Sequence, residues 1–152
     1  MKIAVGSDER TYVTDAVVEH LRRVGVEVEL HGPLDDKPLD WVDVGREVGE
    51  RVASGACHQG VLFCWTGTGV SIAANKVPGI RAALCCDAET AKGARRWNDA
   101  NVLAMSLRST PEAVAKEIVD AWLETGPDEA ERGTISKVSA LDAARPMSQG
   151  AR

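Results

Sequence analysis

Residues 61–76 read VLFCWTGTGVSIAANK. Val61, Leu62 and Phe63 form a short apolar run that fits a fully buried strand, and the run stops at Cys64. Thr66-Gly67-Thr68-Gly69 follows as a turn, and residues 71–76 read as a short helix closed by Pro78-Gly79. A strand that passes through a glycine turn into a helix is half of a crossover unit. The neighbouring stretches decide whether the pattern repeats.

It does, in both directions. Residues 2–5, 26–30, 60–63, 81–85 and 102–105 read as strands. Residues 14–24, 41–53, 71–76, 88–96 and 110–123 read as the helices between and after them. In the first helix Ala16, Val17, His20, Leu21 and Val24 fall at helical spacing, with Thr14 or Asp15 as cap. Thr110 and Pro111 mark the start of the fifth helix. Alternating strands and helices require crossover connections and a parallel sheet covered on both faces. The fold class is therefore α/β: a three-layer α/β/α sandwich, Rossmann-like, with a five-stranded parallel sheet. One more helical stretch over residues 135–144 adds an extra C-terminal helix. The expected organisation is a single domain over residues 1–145 and a disordered tail over 146–152.

The chain has 152 residues, 44% hydrophobic and 27% charged, which is a globular composition with room for a sizeable core. The net charge of -5 lacks the basic footprint of a nucleic-acid binder but leaves room for a local anion pocket. No apolar run reaches the length of a membrane span. The opening MKIAVGSDE is too short and too soon charged for a signal peptide, so the cytoplasm is the expected compartment. Cys57, Cys64, Cys85 and Cys86 contain no C-x-x-C pair and no zinc-like spacing with histidine. They are expected as reduced thiols, with no metal and no cofactor.

In doubly wound sheets ligands sit beyond the carboxyl ends of the strands. Three such ends carry polar chemistry: Gly6-Ser7-Asp8-Glu9-Arg10, Cys64 with its Thr-Gly-Thr-Gly turn, and Ser106 with Arg108. Glycines there let the backbone approach a ligand, and a helix start offers free N–H groups. Taken alone, the glycine turn reads equally as tight packing. Taken alone, Cys64 reads first as a small buried hydrophobe and second as a reactive thiol near a helix N-terminus.

The longer motif changes that balance. GVLFCWTGTGVSIAANKVPGIRAAL together with NDANVLAM and the opening MKIAVGSDE resembles the ribose-5-phosphate isomerase B / galactose-6-phosphate isomerase family, from Met1 to about Leu141. The resemblance implies an aldose–ketose isomerase of a small sugar phosphate, working through a cis-enediol(ate). It also implies a homodimer, with a tetramer as a further option, whose active sites straddle the subunit interface. Cys64 matches the base that moves a proton between C1 and C2. The amides around Thr66, Gly67 and Gly69, with Thr68 among them, match the loop that holds the enediolate oxygens. Asp8 matches an acidic residue at the sugar hydroxyls, and completes a catalytic set of Cys64, Asp8 and Thr66. Asn98 matches a substrate-binding asparagine and Arg108 a phosphate-binding arginine. Lys137 falls where the family has a second such arginine, keeping the charge but losing the bidentate fork.

The departures are as informative. Glu9 stands where the family has histidine after the aspartate. Trp65 stands where it has glycine after the cysteine, and Gly133 where it has a further arginine. Trp97 replaces the histidine that opens the sugar ring, and indole is no proton donor at neutral pH. His20, His31 and His58 match no functional position. Glu9, Trp65 and Trp97 join Gly67, Thr68, Gly69 and Asn98 as expected substrate contacts. A base, oxyanion donors, a hydroxyl-proton relay and an anchor are still present, so isomerisation remains possible. A substrate that is already open, such as a tetrose phosphate, dispenses with the missing acid. Ribose 5-phosphate isomerisation and a non-catalytic sugar-binding relative are the alternatives.

Overall fold

The computed structural model describes residues 1–144. The elements run β1 (Lys2–Ser7), α1 (Tyr12–Arg23), β2 (Glu27–His31), a 3-10 turn (Gly32–Asp35), α2 (Trp41–Ala53), β3 (Gln59–Cys64), α3 (Thr68–Asn75), β4 (Ala82–Leu84), α4 (Ala88–Asn98), β5 (Val102–Ser106), α5 (Glu112–Glu124), a second 3-10 turn (Glu129–Glu131) and α6 (Arg132–Ala143). The sheet is five-stranded in the order β2-β1-β3-β5-β4, and every pairing is parallel. The expected sheet, helices and C-terminal helix are present. The expected tail over 146–152 lies outside the described residues.

Period-two alternation along the strands divides the core into two layers. Val61 and Phe63 of β3 pack with Val17 and Leu21 of α1, Ala94 of α4, and Ile118 and Trp122 of α5. Leu62 and Cys64 point the other way, with Val44 and Val48 of α2 and Val70 and Ala74 of α3. Cys64 thus ends the face covered by the helix that its own turn begins. Gly6 and Gly60 permit α2 to lie close, since a Cβ on Gly6 would sit 2.8 Å from Val44 Cγ1 and one on Gly60 2.7 Å from Val48 Cγ1.

Several boundaries differ from the sequence reading. Helix α1 begins at Tyr12, because Thr11 and Thr14 form a reciprocal capping box; neither Thr14 nor Asp15 is the cap. Helix α3 begins at Thr68, because Gly67 takes φ 76° and turns the chain directly into it. Helix α5 is capped by Pro111 without a side-chain bond, while Thr110 is buried. β4 stops at Leu84, so buried Cys85 and exposed Cys86 lie in the turn that follows it. Helix α6 has no buried residue.

Candidate active site

β1 and β3 are adjacent and in register, with Ser7 opposite Phe63, so both carboxyl ends open on the same edge. The loops after them, with the first residue of α2, enclose a cavity of about 310 Å³ lined by Asp8, Trp41, Cys64, Trp65, Thr66, Thr68 and Gly69. Cys64 is 5% exposed there. Its carbonyl accepts from the amides of Gly67 (3.2 Å) and Leu107 (3.0 Å). The Gly67 amide is therefore turned back onto the strand end and is not a free donor. Thr68 and Gly69, the first residues of α3, have amides that the helix itself leaves without an acceptor. Thr66 Oγ1 and Thr68 Oγ1 lie 2.6 Å apart and fix each other across the turn.

Asp8 brings the only buried side-chain oxygen among the described residues that has no hydrogen-bond partner, its Oδ1. Burial raises its affinity for a proton, and the nearby carboxylates of Glu9 and Asp40 push in the same direction against its own backbone amide. Burying an unpaired carboxylate oxygen is costly, so this cavity holds a group that the fold alone does not satisfy. The other buried thiols differ in setting. Cys85 is pushed up to about 12, chiefly by burial, and Cys57 is also raised by burial; neither lines the cavity.

Trp41 was invisible to motif reading. Its indole lies against Gly69, where a Cβ would come within 2.8 Å of Cε3 and 2.9 Å of Cδ2. Gly69 thus serves the close approach of a ring, at a helix start that Trp41 walls. Asp40 fixes the base of that ring by capping α2, accepting from the Asp43 amide at 2.9 Å. The only sequence signal was an aromatic residue immediately after a capping aspartate.

The remaining expected residues lie apart. Glu9 is exposed and outside the cavity lining. Trp97 and Asn98 end α4, and both line a second cavity of about 330 Å³ with Arg81, Ala82, Thr134 and Val138. That cavity lies at the amino edge of the sheet, where the Asn101 amide donates to the Arg81 carbonyl just ahead of β4 and β5. Arg108 is exposed on the loop after β5, and Lys137 is exposed on α6. Neither side chain has a carboxylate partner among the described residues. Among the described residues no group of three or more His, Cys, Asp or Glu is arranged to hold a metal ion. Among the described residues no helix is long and apolar enough to cross a membrane.

A thiol, an unsatisfied carboxylate and free helix-start amides around one small cavity are parts for moving a proton on a polar small molecule. Comparison with known proteins gives the family. The family model for ribose/galactose isomerases matches residues 3–139, and the chain belongs to that family. It is 42% identical over 123 residues to ribose-5-phosphate isomerase B of Escherichia coli K12, covering 80% of this chain and 83% of that protein. It is 35% identical over 127 residues to D-erythrulose-4-phosphate isomerase of Pectobacterium atrosepticum, covering 82% of this chain and 83% of that one. The structure of ribose-5-phosphate isomerase B from Clostridium thermocellum superposes with a TM-score of 0.88 at 38% identity, covering 95% of this chain and 99% of that one.

Proposed function

We propose that this chain is a cytoplasmic aldose–ketose isomerase that interconverts a small sugar phosphate and its ketose through a cis-enediol(ate). The observation that carries this reading is the single cavity shared by Cys64, the unpartnered oxygen of Asp8 and the start of α3. Cys64 Sγ, as thiolate, removes the proton from C2 of the open aldose, and returns it to C1. The Thr68 and Gly69 amides donate to the oxygen on which charge develops. Asp8, whose affinity for a proton is raised chiefly by burial, passes a proton between the two hydroxyl oxygens. Arg108 and Lys137, neither with a carboxylate partner among the described residues, anchor the phosphate.

The preferred substrate is an open chain such as a tetrose 4-phosphate, which cannot close a furanose. Trp97 supports this, since no ring-opening acid stands at that position. The relative named D-erythrulose-4-phosphate isomerase supports it as well. The relatives named ribose-5-phosphate isomerase B favour the second reading, ribose 5-phosphate. A turnover screen of C4, C5 and C6 aldose phosphates and free sugars decides between them. The wild type should turn over the tetrose phosphate with the higher kcat/KM and wash deuterium from heavy water into it. Equal or better ribose 5-phosphate turnover removes the open-chain preference. Ligand binding without deuterium incorporation removes the isomerase reading and leaves a sugar-binding relative.

The working unit is a homodimer with shared sites. Asn98 and Cys64 stand at opposite edges of the sheet, and a strand of five residues such as β5 spans about 17 Å. One sugar cannot touch both within one subunit. A two-fold partner that sets its amino edge against this carboxyl edge joins the two cavities, twice per dimer. Exposed Trp65, Leu84, Trp97 and Leu141 and the unburied α6 give such a partner apolar surface to cover. Reassociating Cys64→Ala with Asn98→Ala protein should restore activity, because each mixed dimer regains one intact site. Mixed dimers without recovery, or an active monomer, exclude the shared site.

A further inference from the structure

The loops that follow β3 and β5 carry the thiol and the arginine of the proposed site, and they are laced together. The Leu107 amide donates to the Cys64 carbonyl at 3.0 Å, and the Arg108 amide to the Trp65 carbonyl at 2.9 Å. Those are backbone bonds that any sequence can make. One side chain joins them: Ser106 Oγ donates to the same Trp65 carbonyl at 2.9 Å and accepts from the Ser109 amide at 3.2 Å. Ser106 is 8% exposed and stands in register beside Cys64 on the neighbouring strand. Its hydroxyl is thus used both as donor and as acceptor, with one bond into each loop.

We infer that Ser106 is a positioning residue for the proposed isomerisation: its hydroxyl locks the Trp65–Thr66 peptide, directly after Cys64, to the Arg108 loop, so that base and phosphate anchor keep a fixed separation. The inference rests on the isomerase reading for its kinetic part. Without the hydroxyl, the Trp65 carbonyl loses one of two donors and the Ser109 amide loses its acceptor. The backbone bonds remain, so the loops stay in place but hold Cys64 less rigidly. Reactions that depend on near-attack geometry are sensitive to such loosening.

The test compares Ser106→Ala with Ser106→Thr, which keeps the hydroxyl and suits a strand end. Ser106→Ala should lower kcat about tenfold while KM changes less than about threefold, because the base moves relative to an anchored substrate. It should also raise the rate of Cys64 alkylation by iodoacetamide at least about threefold, read by mass spectrometry of the Cys64 peptide, as the loop opens more often. Ser106→Thr should restore both values. A lower Tm with wild-type kcat or with wild-type Cys64 alkylation overturns the inference and leaves Ser106 a structural hydroxyl. If the wild type turns over no sugar phosphate, the isomerase reading falls by itself. The alkylation comparison then still decides whether Ser106 holds Cys64, since it needs no substrate.

Discussion

Asp8 and Glu29 belong to the same half of the sheet, and their surroundings are opposite. Glu29 on β2 receives Arg51 Nε at 2.6 Å and Nη2 at 2.8 Å, lies 2.9 Å from Lys2 Nζ, and meets His31 Nε2 at 3.0 Å. The Arg51 fork above all holds its carboxyl well below the usual range. Asp8, just past the end of β1, has a buried oxygen with no partner among the described residues and two carboxylates for neighbours, and its proton affinity is raised. A carboxylate whose every charge is answered is explained by the scaffold. One with a buried oxygen left unanswered needs another reason, and clefts where such groups gather are where chemistry is done.

The sharpest way to break this contrast is to remove the thiol beside Asp8. Cys64→Ala should abolish isomerisation and deuterium incorporation with the fold retained, while Cys57→Ala and Cys85→Ala keep turnover. Full activity in Cys64→Ala refutes the base. Next in size, Asp8→Asn should cost about a hundredfold in kcat, as loss of a proton relay does. Its stability should move the opposite way. A raised pKa means that the folded state is fully favoured below the ordinary carboxylate value of 3.8 and loses stability as pH rises through the folded value. Asp8→Asn removes that loss, so its Tm should exceed wild type at pH 7 and match it below about pH 4. A lower Tm at pH 7 would show that Asp8 is satisfied after all.

Gly69→Ala probes the same cavity more gently. The new methyl displaces the Trp41 ring, which leaves only 2.8 Å for it. Turnover should fall about tenfold through misplacement of the α3 start, and Trp41→Ala in the same chain should recover part of it. No recovery would mean that Gly69 serves something other than Trp41.

Sequence made the sheet legible because a short continuous apolar run bounded by turn residues is a local signal of a strand buried on both faces, and Val61, Leu62, Phe63 and Cys64 do alternate between the two core layers. It placed Cys64 and Asp8 on the same edge, since strand ends in a parallel sheet follow from strand order. It could not show Trp41 against Gly69, a contact between residues with no common motif. The start of α3 was misread because the backbone angle of Gly67, rather than any side chain, begins that helix. For α1 the sequence pointed to Thr14 or Asp15 as cap, and the reciprocal Thr11–Thr14 bonds make it Thr11 instead. The orphan oxygen of Asp8 was illegible for a deeper reason: it depends on every group that fails to reach it.

The smallest effect is expected on the scaffold side of the contrast. Glu29→Gln keeps the shape of the side chain but removes the charge that Arg51, Lys2 and His31 share. Glu29's pKa is depressed, so its contribution is present above the ordinary value of 4.5 and is lost as pH falls through the lower folded value. Lys2 and Arg51 are partly open to solvent, which screens the pairs, so the loss at pH 7 should be modest, about 3 °C in Tm. The gap between Glu29→Gln and wild type should narrow as pH drops below the ordinary value. At 25 °C, far below either transition, kcat and KM should equal those of wild type, because Glu29 lies on β2 and does not line the Cys64 cavity. Thermal melts at pH 7 and pH 4 with a turnover assay measure all of this in one series. Reduced turnover with an unchanged Tm would place Glu29 in the working site and erase the distinction between the two carboxylates.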